Sequence, residues 1–175
     1  MQQRHSRLVQ IPRQDLACLV QGLVPPEVAD RTYPDALPPD FVALRSLAQL
    51  RAGQSELWCL GFYMVADWDD SIVGSCGFKD APVQGQVEIG YGVSPRARLQ
   101  GHASSAVADL IAIAAGTLQV RTVLAQVNPE NLASTRVVQK LGFTARGRQL
   151  DHDGEMLVQW VCEITSTPWP QGPDP

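Results

Sequence analysis

The spacing of hydrophobic positions changes several times along this chain, and each change marks an element. Arg7–Ile11 (RLVQI) reads as a first strand, and Pro12–Gly22 follows with Leu16, Leu19 and Val20 on one helical face. Pro25, Pro26, Pro34, Pro38 and Pro39 then break the chain into a loop, because proline has no N–H to donate and a fixed φ. Asp40–Ala52 returns to helical spacing with an apolar stripe of Phe41, Leu44, Leu47 and Leu50, and Gly53 is its stop. The period next shortens. Trp58–Val65 (WCLGFYMV) and Ser71–Phe78 (SIVGSCGF) are rich in β formers and flank a turn at Asp67–Asp70, which predicts a hairpin. Gln86–Val93 (QVEIGYGV) is a third strand, and Gly90 and Gly92 inside it signal a bulge or a close backbone approach.

His102–Leu118 carries the best helical stripe, including Ala106, Val107, Leu110, Ile111 and Ala114. Arg121–Val127 is a strand. Leu132–Leu141 is a helix with Asn131 as N-cap and Gly142 as stop. Phe143–Leu150 and Met156–Ile164 are strands joined by Asp151–Glu155 (DHDGE), whose Asp-Gly is a turn signal. These elements predict a single α+β domain over residues 1–164. Residues 165–175 (TSTPWPQGPDP) form a proline-rich tail.

Composition narrows the function. The chain has 175 residues, 45% hydrophobic and 18% charged, which suits one domain with a sizeable core. A formal net charge of −4 argues against nucleic acid as a partner. No apolar run approaches the roughly 20 residues that span a bilayer. The polar start MQQRHSRLVQIPRQD lacks the apolar segment of a signal peptide, so no membrane partner and a cytoplasmic location are expected. Cys18, Cys59, Cys76 and Cys162 are scattered, with no C-x-x-C pair, and read as reduced and mostly buried. His5 falls in a mobile end and His152 in a surface turn. Neither these nor His102 has metal-like spacing, so no metal is expected.

One stretch carries chemistry. RARLQGHAS (Arg96–Ser104) leaves a strand through a basic loop and enters a helix on small residues. The first N–H groups of a helix lack partners, and the helix dipole places partial positive charge there. A diphosphate satisfies both, small residues let it approach, and Arg96 and Arg98 add charge. An ordinary glycine loop at a helix start is the other reading. Neither G-x-x-x-x-G-K-[ST] nor an early G-x-G-x-x-G is present, which excludes a P-loop and a dinucleotide fingerprint.

Arg98-Leu99-Gln100-Gly101-His102-Ala103 also fits [RQ]-x-x-G-x-[GA], with EIGYGVSP (Glu88–Pro95) before it and NPENLASTRVVQKLGF (Asn128–Phe143) after it. With this context the chain resembles the GCN5-related N-acetyltransferases (GNAT). Its N-x-x-S variant and late D-G hairpin are most similar to the branch with ribosomal-protein-alanine N-terminal acetyltransferases. The resemblance implies α/β/α layers: a mixed, mostly antiparallel sheet of six to seven strands, flanked by about four helices and splayed between strands 4 and 5. It implies acetyl-CoA as cosubstrate and transfer to a primary amine, either a protein N-terminus or a small molecule. The diphosphate would lie on Arg98, Leu99, Gln100, Gly101, His102, Ala103 and Ser104. The pantetheine arm would lie along Tyr91 and Val93, with Asn131 as a further contact or simply a helix cap. The Val93 N–H would polarise the thioester carbonyl.

Glu88 and Ser134 are the candidate catalytic residues. Glu88 interrupts an apolar strand and would take the amine's proton, since burial raises a carboxylate's hold on protons. Its other reading is a carboxylate on the solvated strand face. Ser134 would protonate the leaving thiolate, or else hydrogen-bond locally in the first helical turn. Many relatives carry a tyrosine where this chain has Val138, so the usual acid is missing, and Tyr91 is a further option. A non-catalytic acyl-CoA-binding module is therefore the alternative function. Leu99 stands where relatives often have glycine, which is tolerable if its φ stays negative. His102 is expected to face solvent or phosphate. The acceptor walls would come from Val24–Asp40 and the early helices, with Tyr33, Phe41, Trp58, Asp30, Asp35 and Asp40, and from Gln149–Glu155, with Asp151, Asp153 and Glu155. Exposed β edges and the late hairpin leave room for a homodimer.

Overall fold

Backbone hydrogen bonds join seven strands into one mixed sheet in the order β1-β2-β3-β4-β5-β7-β6, in which β4–β5 is the parallel pair. In this computed structural model, residues 6–151 and 153–164 are described. The expected tail 165–175, His5 and His152 lie outside them. The chain runs β1 (Ser6–Gln10), α1 (Leu16–Leu19), α2 (Asp40–Arg51), α3 (Glu56–Cys59), β2 (Phe62–Ala66), β3 (Ile72–Phe78) and β4 (Gln86–Val93). It continues through α4 (His102–Gly116), β5 (Thr122–Val127), α5 (Leu132–Lys140), β6 (Thr144–Leu150) and β7 (Met156–Glu163).

The alternation of strand side chains builds a core on each face. On one face Phe62, Met64, Phe78, Ile89 and Val123 meet α4 and α5 through Val107, Leu110, Ala114 and Val138. On the other, Tyr63, Val65 and Ile72 meet α1 and α2 through Leu16, Leu19 and Ala43. A buried polar tie secures this second face: the Tyr63 hydroxyl donates to Asp15 Oδ2 at 2.8 Å. All four cysteines are free, Cys59 and Cys76 buried and Cys18 and Cys162 half-buried.

Three expectations need correction. Trp58 and Cys59 form the single turn α3 rather than strand, and the Trp58 indole packs edge-on against Phe78, 4.9 Å between centroids. Trp58 is thus a core residue and no part of an acceptor wall. Pairing starts only at Phe62, opposite Cys76. Second, α2 turns the first half of its apolar stripe outward: Phe41 is 62% and Leu44 49% exposed, Leu50 packs against the core, and Ala43, Ser46 and Gln49 are buried. Ala43 joins the core of the second face, α2 packs against α1 and α3, and Gln49 Nε2 donates to the Lys79 carbonyl at 2.9 Å. Third, β4 carries no bulge; its register with β3 is unbroken from Ile89 to Val93. Among the described residues the α-helical segments number five, two of them single turns, in keeping with the about four expected.

Candidate acyl-transfer site

The site starts where the sheet opens. β4 and β5 pair in parallel from Gln86–Thr122 to Ile89–Ala125 and no further, although both strands continue. Alternation of hydrogen-bonding direction then decides what faces the opening. Lys79 N–H donates to the Glu88 carbonyl and Ser94 N–H to the Val73 carbonyl, so the even-numbered residues of β4 bond toward β3. The main-chain groups of Tyr91 and Val93 therefore point the other way, into the splay. A cavity of about 170 Å³ fills this gap, lined by Lys79, Gly90, Tyr91, Gln126, Asn131 and Ser134. A larger cleft of about 2060 Å³ shares several of these residues and runs from α2 to the N-terminus of α4 and to α5.

The loop entering α4 is shaped to offer amides. Gly101 is the N-cap with φ 86°, a left-handed conformation natural to glycine, and no side chain caps the helix. The Ser105 N–H bonds the Gly101 carbonyl at 3.0 Å. The amides of Leu99, Gln100, Gly101, Ala103 and Ser104 bond to no acceptor among the described residues. A diphosphate fits this set of donors. Leu99 has φ 64°, which overturns the negative φ expected there, and costs about 1–2 kcal/mol in a residue with a Cβ. Its side chain is 98% exposed, so no packing offsets that strain. His102 is also unlike its expectation: the ring is buried against Trp68, 5.3 Å between centroids, and only its place in the first turn concerns a phosphate. The two arginines divide. Arg98 lines the cleft, whereas Arg96 lies over the Tyr33 ring at 5.2 Å.

The candidate acid–base residues sit on opposite faces of the sheet. Ser134 and Tyr91 share the gap: the Tyr91 hydroxyl donates to the Ser134 carbonyl at 3.3 Å, bridging β4 to α5. Burial holds the Tyr91 phenol above its usual range. Asn131 Oδ1 accepts from the Ser134 N–H at 3.0 Å, so the expected cap is present. The Ser134 hydroxyl itself makes no hydrogen bond among the described residues. Glu88, of opposite parity to Tyr91, is ion-paired with Lys79. Lys79 lines both cavities and Glu88 neither. Val138 has no exposure and faces the core.

A family model described as the acetyltransferase (GNAT) domain matches residues 7–144. The chain belongs to that family. Over 93 residues it is 31% identical to the "Uncharacterized N-acetyltransferase p20" of Bacillus licheniformis, covering 53% of this chain and 52% of that protein. It thus spans about half the length of this relative. Among solved structures it resembles the ribosomal-protein-S5-alanine acetyltransferase of Vibrio fischeri, with TM-score 0.67, 13% identity and 95% and 97% of the two chains covered. The yncA protein of Salmonella typhimurium, solved with acetyl-CoA as its cofactor, superposes with TM-score 0.61 and 15% identity over 97% and 99% of the two chains. No helix among the described residues of this GNAT chain is long and apolar enough to cross a membrane.

Of the expected acceptor-wall residues, Phe41, Asp35, Asp151 and Asp153 line the GNAT cleft. Asp30, Asp40 and Glu155 do not; the Asp40 carboxylate accepts from the Phe41 N–H, and Glu155 pairs with the Asn128 amide. Asp151 spends its Oδ1 on the N–H groups of Asp153 and Glu155 in its own turn. Sequence reasoning missed Lys79, Arg45, Arg136 and Lys140, all in the cleft. For Arg136 and Lys140 a signal existed, two cations four residues apart on one helical face. Lys79 and Arg45 carried none, because their neighbours across the cleft come from distant segments.

Proposed function

We propose that this chain moves an acetyl group from acetyl-CoA to a primary amine by direct attack in a ternary complex. One juxtaposition carries the reading: the open amides at the start of α4 lie beside the stretch of β4 whose main chain faces a gap in the sheet. Residues 98–104 would hold the diphosphate, with Arg98 adding charge. Tyr91, Val93 and Asn131 would hold the pantetheine arm, as an added strand is held by a sheet edge. Acetyl-CoA supplies an acyl group activated as a thioester. The Val93 N–H would stabilise the oxyanion that develops on the carbonyl. Glu88, reaching the amine through water, would accept its proton, and the Ser134 hydroxyl would return one to the sulfur.

The Vibrio fischeri neighbour is named for an alanine of a ribosomal protein, so a protein N-terminus is one acceptor class and a small amine the other. Calorimetry with acetyl-CoA, CoA and ATP tests the binding half. Heat with the CoA species alone supports the reading, and no heat with acetyl-CoA overturns it. A second reading, acyl-CoA binding without turnover, draws on the Lys79–Glu88 pair and on Val138 in place of a tyrosine. It predicts binding without thiol release across a panel of amines.

A further inference from the structure

The outward turn of α2 has a consequence for what the cleft accepts. Phe41, Arg45 and Gln49 are spaced four apart and so form one stripe of the helix. Its lower end is fixed where Gln49 bonds the Lys79 carbonyl, beside the gap between β4 and β5. Phe41 and Arg45 both line the cleft, along with Leu37 and Val42. The Arg45 guanidinium makes no ion pair or hydrogen bond among the described residues. The other charges of this half are Lys79, held by Glu88; Asp151, held in its own turn; and Asp153 and Asp35. A half-buried guanidinium with no counter-ion among the described residues is matched by a carboxylate in fork geometry.

We infer that the acceptor is a small amphiphilic amino acid, an amine bearing a carboxylate and an apolar group, and that Arg45 is the residue that reads the carboxylate. The inference rests on the acetyl-transfer reading. The apolar group lies against Phe41, Val42 and Leu37, which accounts for an exposed aromatic ring on α2. Polyamines are poorer acceptors, since they carry no carboxylate for Arg45 to bind.

The test compares leucine with leucinamide, which differ in the carboxylate alone, and adds spermidine. CoA release is followed with a thiol reagent, using the full-length protein and acetyl-CoA. Leucinamide is the more readily deprotonated amine, so a preference for leucine cannot arise from the amine itself. The expected kcat/KM for leucine is about tenfold or more above leucinamide, the discrimination of a charge-assisted hydrogen bond. Arg45→Gln should bring the two acceptors to parity and Arg45→Lys should keep part of the difference, with melting unchanged because the Arg45 guanidinium holds no partner among the described residues. Calorimetry of leucine against the CoA complex should show the same loss in Arg45→Gln. Equal or better use of leucinamide, better use of spermidine, or a preference that survives Arg45→Gln overturns the inference. Heat with acetyl-CoA but no transfer to leucine also overturns it, whereas no heat with acetyl-CoA overturns the underlying reading instead.

Discussion

Placing a tyrosine at position 138 asks which face of α5 meets the gap. Val138 has no solvent exposure and shares a core with Val107, Leu110 and Phe143. A phenol ring there must displace packed neighbours, at about 1–3 kcal/mol for overpacking. Its hydroxyl would enter an apolar cluster without a partner, adding about 1–3 kcal/mol. The sum, about 2–6 kcal/mol, is a large part of the roughly 5–15 kcal/mol that holds a domain folded. For a chain of this size each kcal/mol moves the melting temperature by about 2–4 °C. Val138→Tyr should therefore melt at least about 4 °C lower by circular dichroism, with no gain in thiol release at a temperature where it stays folded. Val138→Ala, which removes two methyl groups, should also be less stable, by about 1–3 kcal/mol. Loss in both directions is the signature of a core position. A tyrosine variant that melts like the parent and releases CoA faster would show that position 138 opens on the gap, and the assignment of the α5 faces would fall.

Asn131→Ala removes the acceptor of the Ser134 N–H and should cost about 1 kcal/mol in urea unfolding, with Asn131→Asp restoring most of it. Leu99→Gly relieves about 1–2 kcal/mol of left-handed strain and adds about 0.4–1 kcal/mol of unfolded-state entropy, so its urea midpoint should equal or exceed the parent's; a clear fall would contradict the backbone described here. Burial, with the Asp15 hydrogen bond second, pushes the Tyr63 phenol well above its ordinary value of about 10. The folded state thus keeps a proton that the unfolded chain loses, and this stability is full below pH about 10 and fades as pH rises beyond it. Urea midpoints measured from neutral to alkaline pH should fall less steeply in Tyr63→Phe than in the parent, and equal slopes would remove the argument.

Much of the architecture was legible because it is local. Gln86–Val93 alternates and is flanked by turns, and it forms β4 with those bounds. Asn131 precedes a helical stripe and caps α5. Gly101 precedes a run of small residues and takes the left-handed φ that opens the α4 amides. The misreadings arose where a residue's environment comes from far along the chain. The Phe41–Leu44–Leu47–Leu50 stripe has the right period for a buried face. The helix instead buries Ala43, Ser46 and Gln49, because the side it packs is set by α1, by α3 and by the Lys79 carbonyl that Gln49 binds, none of which its own period encodes. Trp58 has a strand former's chemistry, yet its partner is Phe78 on β3.

The candidate site divides along the same line. Periodicity, capping residues and glycine placement specify the strand, loop and helix that offer amides to a phosphate, since each depends on neighbours a few residues away. Charge pairing does not work that way. Glu88 read as a lone carboxylate on a strand, but β3 brings Lys79 beside it, and nothing in the residues around Arg45 shows that α2 sets it over the cleft. An ion pair or an unmatched cation is set by distances of a few ångströms between segments that sequence order keeps apart, and packing alone sets those distances.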